Sequence, residues 1–153
     1  MPGGRRVVGE AALELPSVEM SYVPPVLVAQ VWASQIDLIE RGMAKGQSDW
    51  ESADDLLGDI LARKSQLWAA HRDGDVIAIA VIAVRSKKGI TKLFVQLIAG
   101  TDSPQWADLL QSNLLRMKDK IGADCIEASC RPGLAKYLKN VGWSQKAIIM
   151  ELI

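Results

Sequence analysis

The feature that most constrains the fold is the stretch from Ser65 to Ala99, in which three strand-like segments are separated by two short turns. Asp73-Gly74 is a hairpin-turn signal, because glycine accepts a positive φ at little cost. The following segment, Asp75–Val84, is rich in valine and isoleucine, which is typical of a strand buried on both faces. The second turn, Arg85–Gly89, is basic. The pattern predicts an antiparallel meander of three strands.

Helical patterns lie on both sides of the meander. Apolar residues recur at steps of three and four over 26–43, which predicts one helix. Ser48 followed by Glu51 is a capping-box pattern that predicts the start of a second helix. Ser103 suits an N-cap and Pro104 the first helical position, so a third helix is expected from there to Ile121. The remaining predicted elements are strands at Val18–Val23, Asp124–Cys130 and Trp143–Leu152 and a short helix from Arg131 to Val141.

This order of elements predicts an α/β (α+β) fold. A strand, two helices, the meander, and then helix, strand, helix and strand favour a mixed, mostly antiparallel central sheet with helices on both faces. We expect a single domain over residues 18–153. An N-terminal arm is expected over residues 1–17, where glycines and prolines interrupt any apolar period.

The charge balance bears on the class of partner. The 153 residues include 18 Lys and Arg against 18 Asp and Glu, so the formal net charge is zero. A dedicated nucleic-acid binder would carry a basic excess, and a chain without net charge lacks the repulsion that keeps copies apart. We therefore expect protein partners, through self-association or a larger assembly, rather than nucleic acid. No run of about 18 apolar residues is present, so no membrane span is expected.

Metal chemistry is not expected from this sequence. The two cysteines, Cys125 and Cys130, would point to opposite faces of one strand and are interpreted as small buried hydrophobes. His71 is the only histidine, and it is interpreted as a surface strand residue. These residues have no metal-ligand spacing.

The C-terminal helix carries a resemblance to a known family. Tyr137-Leu138-Lys139-Asn140-Val141-Gly142-Trp143 resembles the closing helix of the GNAT N-acetyltransferases, which ends at a glycine followed by an aromatic residue and leads into the last strand. Together with the element order, the resemblance covers about Val18 to Ile153. It implies the GNAT fold and, for an active member of the family, acetyl-CoA as the acyl donor.

The loop that would hold the pyrophosphate of acyl-CoA departs from the family pattern. GNAT enzymes use an Arg/Gln-x-x-Gly-x-Gly/Ala loop whose glycines let backbone amides approach the phosphates. Here the loop has a single glycine, Gly100; Asp102 and Asp108 add negative charge, Pro104 lacks an amide, and Trp106 adds bulk. Each change is unfavourable for a pyrophosphate, so no cofactor is expected.

The family's usual acid is also displaced. In many GNAT enzymes a tyrosine four residues before the helix-ending glycine protonates the departing thiolate. Counting back from Gly142 gives Leu138, and Tyr137 is rotated from it by about 100° around the helix. Tyr137 is a candidate catalytic acid if the alignment shifts by one residue.

Other candidate site residues each have a structural alternative. Thr101, Ser103 and Gln105 could donate hydrogen bonds to acyl-CoA, or simply cap the third helix. Glu127 could act as a general base beside the cleft, or be a salt-bridged strand carboxylate. The basic turn that contains Arg85 could contact a phosphate or an acidic partner, or be solvated.

Two further residues are candidates for an interface. Trp50 stands among polar neighbours and is the tryptophan most expected at the surface, where tryptophan often anchors a partner. Arg131 opens the last helix, where a cation opposes the helix dipole, so a partner carboxylate or another chain is expected near it.

Short fragments resemble a narrower group of phage-encoded GNAT-like proteins. They are Gln66-Leu67-Trp68, Leu97-Ile98-Ala99-Gly100, and Arg131-Pro132-Gly133-Leu134 with Gly142-Trp143. The favoured hypothesis is a non-catalytic GNAT-like structural or assembly protein, in the cytoplasm or within a virus particle. The alternative is an N-acyltransferase that binds acetyl-CoA through a divergent loop.

Overall fold

The computed structural model describes residues 17–45, 52–101, 103–129, 132–147, 150 and 152 of the chain. The predictions made for residues 1–16 of the arm, for Trp50 and for Arg131 lie outside these residues. Among the residues described, no helix is both long enough and apolar enough to cross a membrane.

The centre of the molecule is a five-stranded sheet, as the element order predicts. Its strands follow the chain order β1-β2-β3-β4-β5. The first three pairings are antiparallel and β4 pairs with β5 in parallel, so the predicted α/β class is confirmed. The strands are β1 (Val18–Tyr22), β2 (Ser65–Arg72), β3 (Asp75–Lys87), β4 (Ile90–Gly100) and β5 (Cys125–Ala128).

Both turns of the meander are two-residue hairpins. Arg72 pairs with Asp75 across the first turn, and Asp73 and Gly74 have φ values of 52° and 85°. Two consecutive positive φ values match the right-handed twist of the strands, which explains the Asp-Gly sequence. The second turn has the same form at Lys88 and Gly89 (54° and 80°), so β3 runs three residues beyond the predicted Val84.

Helices cover both faces of the sheet. They are α1 (Pro25–Ser34), α2 (Ile36–Lys45), α3 (Ala53–Leu61), α4 (Ser103–Ile121) and α5 (Pro132–Asn140). Residues of α1–α3 form one core with the sheet, and residues of α4 form a second core on the opposite face. The side chains of Leu134 and Leu138 place α5 against α4.

Two helix predictions are corrected by the structure. The predicted helix over 26–43 is interrupted at Gln35, whose amide bonds to the carbonyls of both Val31 and Trp32. The capping box of α3 is formed by Ser52, whose hydroxyl accepts from the Asp55 amide at 3.1 Å while its own amide donates to Asp55 Oδ2 at 2.9 Å. The predicted pair Ser48 and Glu51 lies outside the described residues.

A β-bulge at Gln96 divides β4 into two halves that face different cores. Val95 pairs with Ile82 and Leu97 pairs with Val81, so Gln96 is the extra residue. Because a shift of one residue reverses the faces of a strand, Leu93 and Val95 belong to the α4 core while Leu97 and Ala99 belong to the α1–α3 core.

The predicted strand over Trp143–Leu152 is wrong for residues 143–147, which form no strand. The Trp143 amide donates to the Leu138 carbonyl at 3.1 Å, and its indole Nε1 donates to Gln111 Oε1 of α4 at 2.9 Å. These bonds hold the start of the segment against α4 and the end of α5. Met150 and Leu152 are almost fully exposed.

Candidate active site at the fork between β4 and β5

The two parallel strands separate before β4 ends. Their last pair is Val95 with Ala128, and β4 continues for five residues to Gly100. Within the described part of the chain, no strand pairs with Gln96–Gly100 on the β5 side. We call this open side of β4 the fork. The bulge at Gln96 lies at its base, and bulges often occur beside active sites, where they redirect a strand.

Among the described residues, the backbone of β4 presents to the fork groups that pair with no other strand. The Thr101 amide donates to the Ile77 carbonyl of β3 at 2.9 Å. Because backbone groups point to alternate sides along a strand, those of Gly100 and Ile98 face away from β3. The fork therefore offers amide donors and carbonyl acceptors along one strand edge.

On the α4 side of β4 lies a small apolar cavity of about 20 Å³, which is large enough for about one water molecule. It is lined by Ile98 of β4, by residues of α4 and by Leu134 and Leu138 of α5. Trp106 is 3% exposed, and its Nε1 donates to the Thr101 carbonyl at 2.6 Å. The Trp106 side chain, which was expected to add bulk to the loop, is therefore packed beneath the junction of β4 and α4.

All three predicted cofactor residues lie at the start of α4. The Thr101 hydroxyl donates to the Ile77 carbonyl at 3.5 Å, and Gln105 Oε1 accepts from Arg72 Nη1 of β2. Ser103 is the first residue of α4. Arg72 was not a candidate from the sequence, because nothing local shows that the end of β2 lies beside α4.

The face of the sheet opposite α4 carries the predicted carboxylate. Glu127 of β5 accepts hydrogen bonds from Lys92 at 2.9 Å and from Lys146 at 3.2 Å. Its bond to Lys92, with further support from Lys146, holds the pKa of Glu127 below its ordinary value of 4.5, although burial opposes this. The same bond raises the pKa of Lys92 above 10.5. Glu127 is therefore ionised and paired at neutral pH.

Two more contacts extend this face. Arg85 lies over the ring of Phe94 at 4.1 Å from its centroid, and Phe94 is in register with Glu127. The Ser65 hydroxyl donates to Gln96 Oε1 at 2.6 Å. Gln96 is the one polar residue between Leu93 and Ala99, which is the only sequence signal for the bulge.

Tyr137 points to α4. Its hydroxyl donates to Asp108 Oδ1 at 3.5 Å, and desolvation, with Asp108 nearby, raises the pKa of Tyr137 above 10.0. Leu138, the residue four before Gly142, lines the cavity beside the fork. The position from which GNAT enzymes donate a proton is thus apolar in this chain.

The remaining candidates lie away from the fork. His71 Nε2 forms a hydrogen bond with Ser21 Oγ at 2.9 Å on the β1–β2 pair. Cys125 is a free, half-buried cysteine, and Cys130 lies outside the described residues. Across the residues that the structure covers, no three His, Cys, Asp or Glu side chains are grouped to hold a metal ion.

Comparison with known proteins shows the fold. No family model matches the chain, and no curated protein matches it. A ribosomal-protein-alanine N-acetyltransferase from Brucella melitensis biovar Abortus 2308 is 13% identical with a TM-score of 0.62, over 90% of this chain and 98% of that one. An aminoglycoside N-acetyltransferase in complex with CoA is 15% identical with a TM-score of 0.64, over 90% and 95%.

A third similar structure is a predicted acetyltransferase with acetyl-CoA from Clostridium acetobutylicum. It is 14% identical with a TM-score of 0.66, over 89% of this chain and 96% of that chain. The chain therefore has a GNAT-like fold, as its C-terminal helix and element order predicted. A phage-encoded subtype is not shown by these matches.

These matches correct the favoured functional hypothesis. A non-catalytic structural or assembly protein was expected, whereas the similar structures are acetyltransferases. The expected absence of a cofactor is not confirmed either, because two of the similar structures contain CoA or acetyl-CoA. The missing glycines of the loop do not decide the function, and the fork is not visible in the sequence.

Proposed function

We propose that this protein is an acyl-CoA-dependent N-acyltransferase with its thioester bound in the fork. The observation that carries the proposal is the separation of β4 from β5 after Val95, which leaves a strand edge open in a chain whose similar structures are acetyltransferases. The pantetheine arm of CoA contains two amide groups, and these match the backbone groups of Ile98 and Gly100 that face away from β3.

Two features of the start of α4 favour binding of the CoA phosphates. A helix N-terminus presents unpaired amides and a partial positive charge, and the amides of Ser103 and Gln105 are in the first turn. Arg72 is held beside that turn by Gln105, and a guanidinium can form charge-assisted bonds to phosphate. Arg72 of β2 would thus provide part of the phosphate binding that the glycine-rich loop provides in the family pattern.

Other features weaken the fit. Pro104 contributes no amide, and Asp102 adds a negative charge to the loop sequence. The apolar cavity of about 20 Å³ has no room for the pantetheine arm, so the arm would lie along the open edge of β4. Trp106 does not hinder acyl-CoA binding, because its side chain packs inward and its indole nitrogen is already bonded. We expect binding that depends on Arg72 and is weaker than with a glycine-rich loop.

The chemistry is the transfer of an acyl group from sulfur to nitrogen. The neutral amine attacks the thioester carbonyl carbon, a C–N bond forms, the C–S bond breaks, and the amine loses one proton while CoA leaves as a thiolate that gains one. Glu127 is a weak base because Lys92 and Lys146 lower its pKa. It is better suited to orient an acceptor than to deprotonate it, so solvent takes the proton from the amine.

Tyr137 could protonate the thiolate only by giving up its bond to Asp108. If it acts as the acid, Tyr137→Phe lowers kcat by about 10²-fold or more, with little effect on acetyl-CoA affinity. If solvent is the acid, kcat stays within about twofold. Leu138→Ala is the matched control for a change in packing of α5, since Leu138 lines the cavity.

Calorimetric titration with acetyl-CoA tests the role of Arg72. Arg72→Gln removes one charge at the start of α4 and is expected to weaken binding roughly tenfold. Arg116→Gln removes the same charge from the exposed surface of the same helix and is expected to leave the affinity unchanged. Equal affinities for both variants and the unaltered protein would contradict the proposed phosphate site, and no binding at all would contradict the proposed function.

A further inference from the structure

Five side chains form a charged surface on the sheet face opposite α4. They are Arg85, Lys92, Phe94, Glu127 and Lys146, and we call them the acceptor-face cluster. Leu93 and Val95 belong to the α4 core, so by strand alternation Lys92 and Phe94 point to the other face. Glu127 is joined to that face by its bond to Lys92.

The acceptor-face cluster has an excess of positive charge. It contains three cations and one carboxylate. Glu127 is bonded to both Lys92 and Lys146, while Arg85 is held over the Phe94 ring by a contact that leaves its charge uncompensated. Lys146 is largely exposed, with 72% of its side chain accessible. One carboxylate against three cations leaves capacity for another anion.

The cluster lies next to the fork. Phe94 and Glu127 form the pair directly before Val95 and Ala128, where the strands separate. At about 3.3 Å per residue, one or two residues place the cluster roughly 3–7 Å from the fork. A molecule whose amine reaches the fork from this face would therefore have its other end beside Arg85 and Lys146.

The cluster points to the class of acceptor, an inference that rests on the proposed N-acyltransferase function. We infer that the acceptor is an amine that also carries a carboxylate, as an amino acid does, and that Arg85 and Lys146 bind this carboxylate while the amine enters the fork. In the reaction the amine nitrogen forms the amide bond, CoA leaves as the thiol, and the carboxylate is unchanged. Amines with several positive charges are disfavoured, because the cluster repels them.

Matched acceptors test this class directly. Release of CoA thiol from acetyl-CoA is measured with 6-aminohexanoate, with its neutral carboxamide and with cadaverine, which all present a primary amine on a similar chain. We expect kcat/KM for 6-aminohexanoate to exceed that for the carboxamide by about tenfold, and cadaverine to be the poorest acceptor. Equal rates, or a preference for cadaverine, would overturn the inference while the proposed function stands.

Variants that lack a positive charge test which residues cause the preference for an acceptor with a carboxylate. The double variant Arg85→Gln, Lys146→Gln is expected to reduce the preference for the carboxylate to less than about threefold, through KM rather than kcat. Lys120→Gln removes an exposed charge from the last turn of α4 and is expected to leave the preference unchanged. An undiminished preference in the double variant would assign the carboxylate to another surface.

A binding measurement separates this inference from the proposed function. The protein labelled with ¹⁵N is titrated with the reaction product N-acetyl-6-aminohexanoate and with its carboxamide, without acetyl-CoA. Saturable shifts of the Lys92, Phe94 and Glu127 amides with the carboxylate alone would support the inference even if no turnover occurs, in which case only the proposed function fails. Shifts with neither compound, or equal shifts with both, would overturn it.

Discussion

Gln111 of α4 links three parts of the helical layer through one side chain. Its Nε2 donates to the Val141 carbonyl at 3.1 Å and its Oε1 accepts from Trp143 at 2.9 Å. The side chain therefore joins the end of α5 and the segment after it to α4. A half-buried amide with both ends bonded is costly to remove, because two partners are left unpaired.

Gln111→Ala should therefore lower the free energy of unfolding by about 1–2 kcal/mol, or the midpoint of thermal unfolding by roughly 2–8 °C. Ser112→Ala, one exposed position along α4, is the control and should change stability by less than about 0.5 kcal/mol. Calorimetry of both variants makes the comparison. Equal stabilities would show that the bonds of Gln111 do not hold α5 in place.

The Glu127–Lys92 pair makes stability depend on pH. The pKa of Glu127 is lowered in the folded state, so its contribution is present above about pH 4.5 and is lost as the pH falls through the folded pKa. The pKa of Lys92 is raised, so its contribution holds below 10.5 and is lost as the pH rises through the folded value.

Glu127→Gln should thus lower the unfolding temperature between about pH 5 and pH 10, by a few degrees at most because the pair is partly exposed. The difference from the unaltered protein should shrink as the pH falls through the lowered, folded-state pKa of Glu127, below which the carboxylate is protonated in both states. Thermal unfolding at a series of pH values measures it. A difference that stays constant with pH would mean that the substitution acts through packing.

The close approach of α2 to β4 is an element-scale feature that depends on Gly42. A Cβ added at Gly42 would lie 2.5 Å from the Ala99 Cβ, so the helix lies directly on the strand beside the fork. In α3, a Cβ at Gly58 would meet nothing within 4 Å. These two helical glycines therefore offer a matched pair.

Gly42→Ala should destabilise the fold by about 1–3 kcal/mol, because overpacking exceeds the gain from helix propensity. Gly58→Ala should stabilise it by about 0.5–1 kcal/mol, because alanine restricts the unfolded chain and fits the open site. Denaturant unfolding of both variants measures whether each substitution raises or lowers the free energy of unfolding. A stabilising Gly42→Ala would contradict the packing of α2 on β4.

Elements that depend on local chemistry were predictable from the sequence. The Asp73-Gly74 hairpin needs positive φ at two adjacent residues, and that requirement is visible in the residues themselves. The break at Gln35 was not, because the apolar stripe continues through it. The strand expected after Gly142 has strand-like composition, but Trp143 is bonded to Gln111, 32 residues away, and a periodic pattern contains no such information.

In the candidate site, too, local features were predictable from the sequence and contacts between distant residues were not. Glu127 and the start of α4 were predicted from residue type and position, but their partners Lys92 and Arg72 are 35 and 33 residues away in the chain. The fork itself arises from the extra residue Gln96 and from the end of β5 at Ala128. Both are properties of strand pairing, so only the folded arrangement reveals them.

At the scale of the whole molecule, the fork lies between two surfaces of different character. The start of α4, with Arg72 beside it, lies on one side, and the acceptor-face cluster lies on the other. In the proposed function, this division would let an acyl donor and an amine approach the same strand edge from opposite faces of the sheet. Self-association of the chain stays a prediction, which sedimentation can test independently of catalysis.

Thermal unfolding with and without acetyl-CoA tests the central claim most directly. At about a hundred times its dissociation constant, a ligand that binds only the folded chain stabilises it by about 2.7 kcal/mol, which for a domain of this size raises the unfolding midpoint by roughly 5–10 °C. We predict such a rise for the unaltered protein and a smaller one for Arg72→Gln at the same concentration. An unchanged midpoint at millimolar acetyl-CoA would contradict the assignment of the fork as an acyl-CoA site.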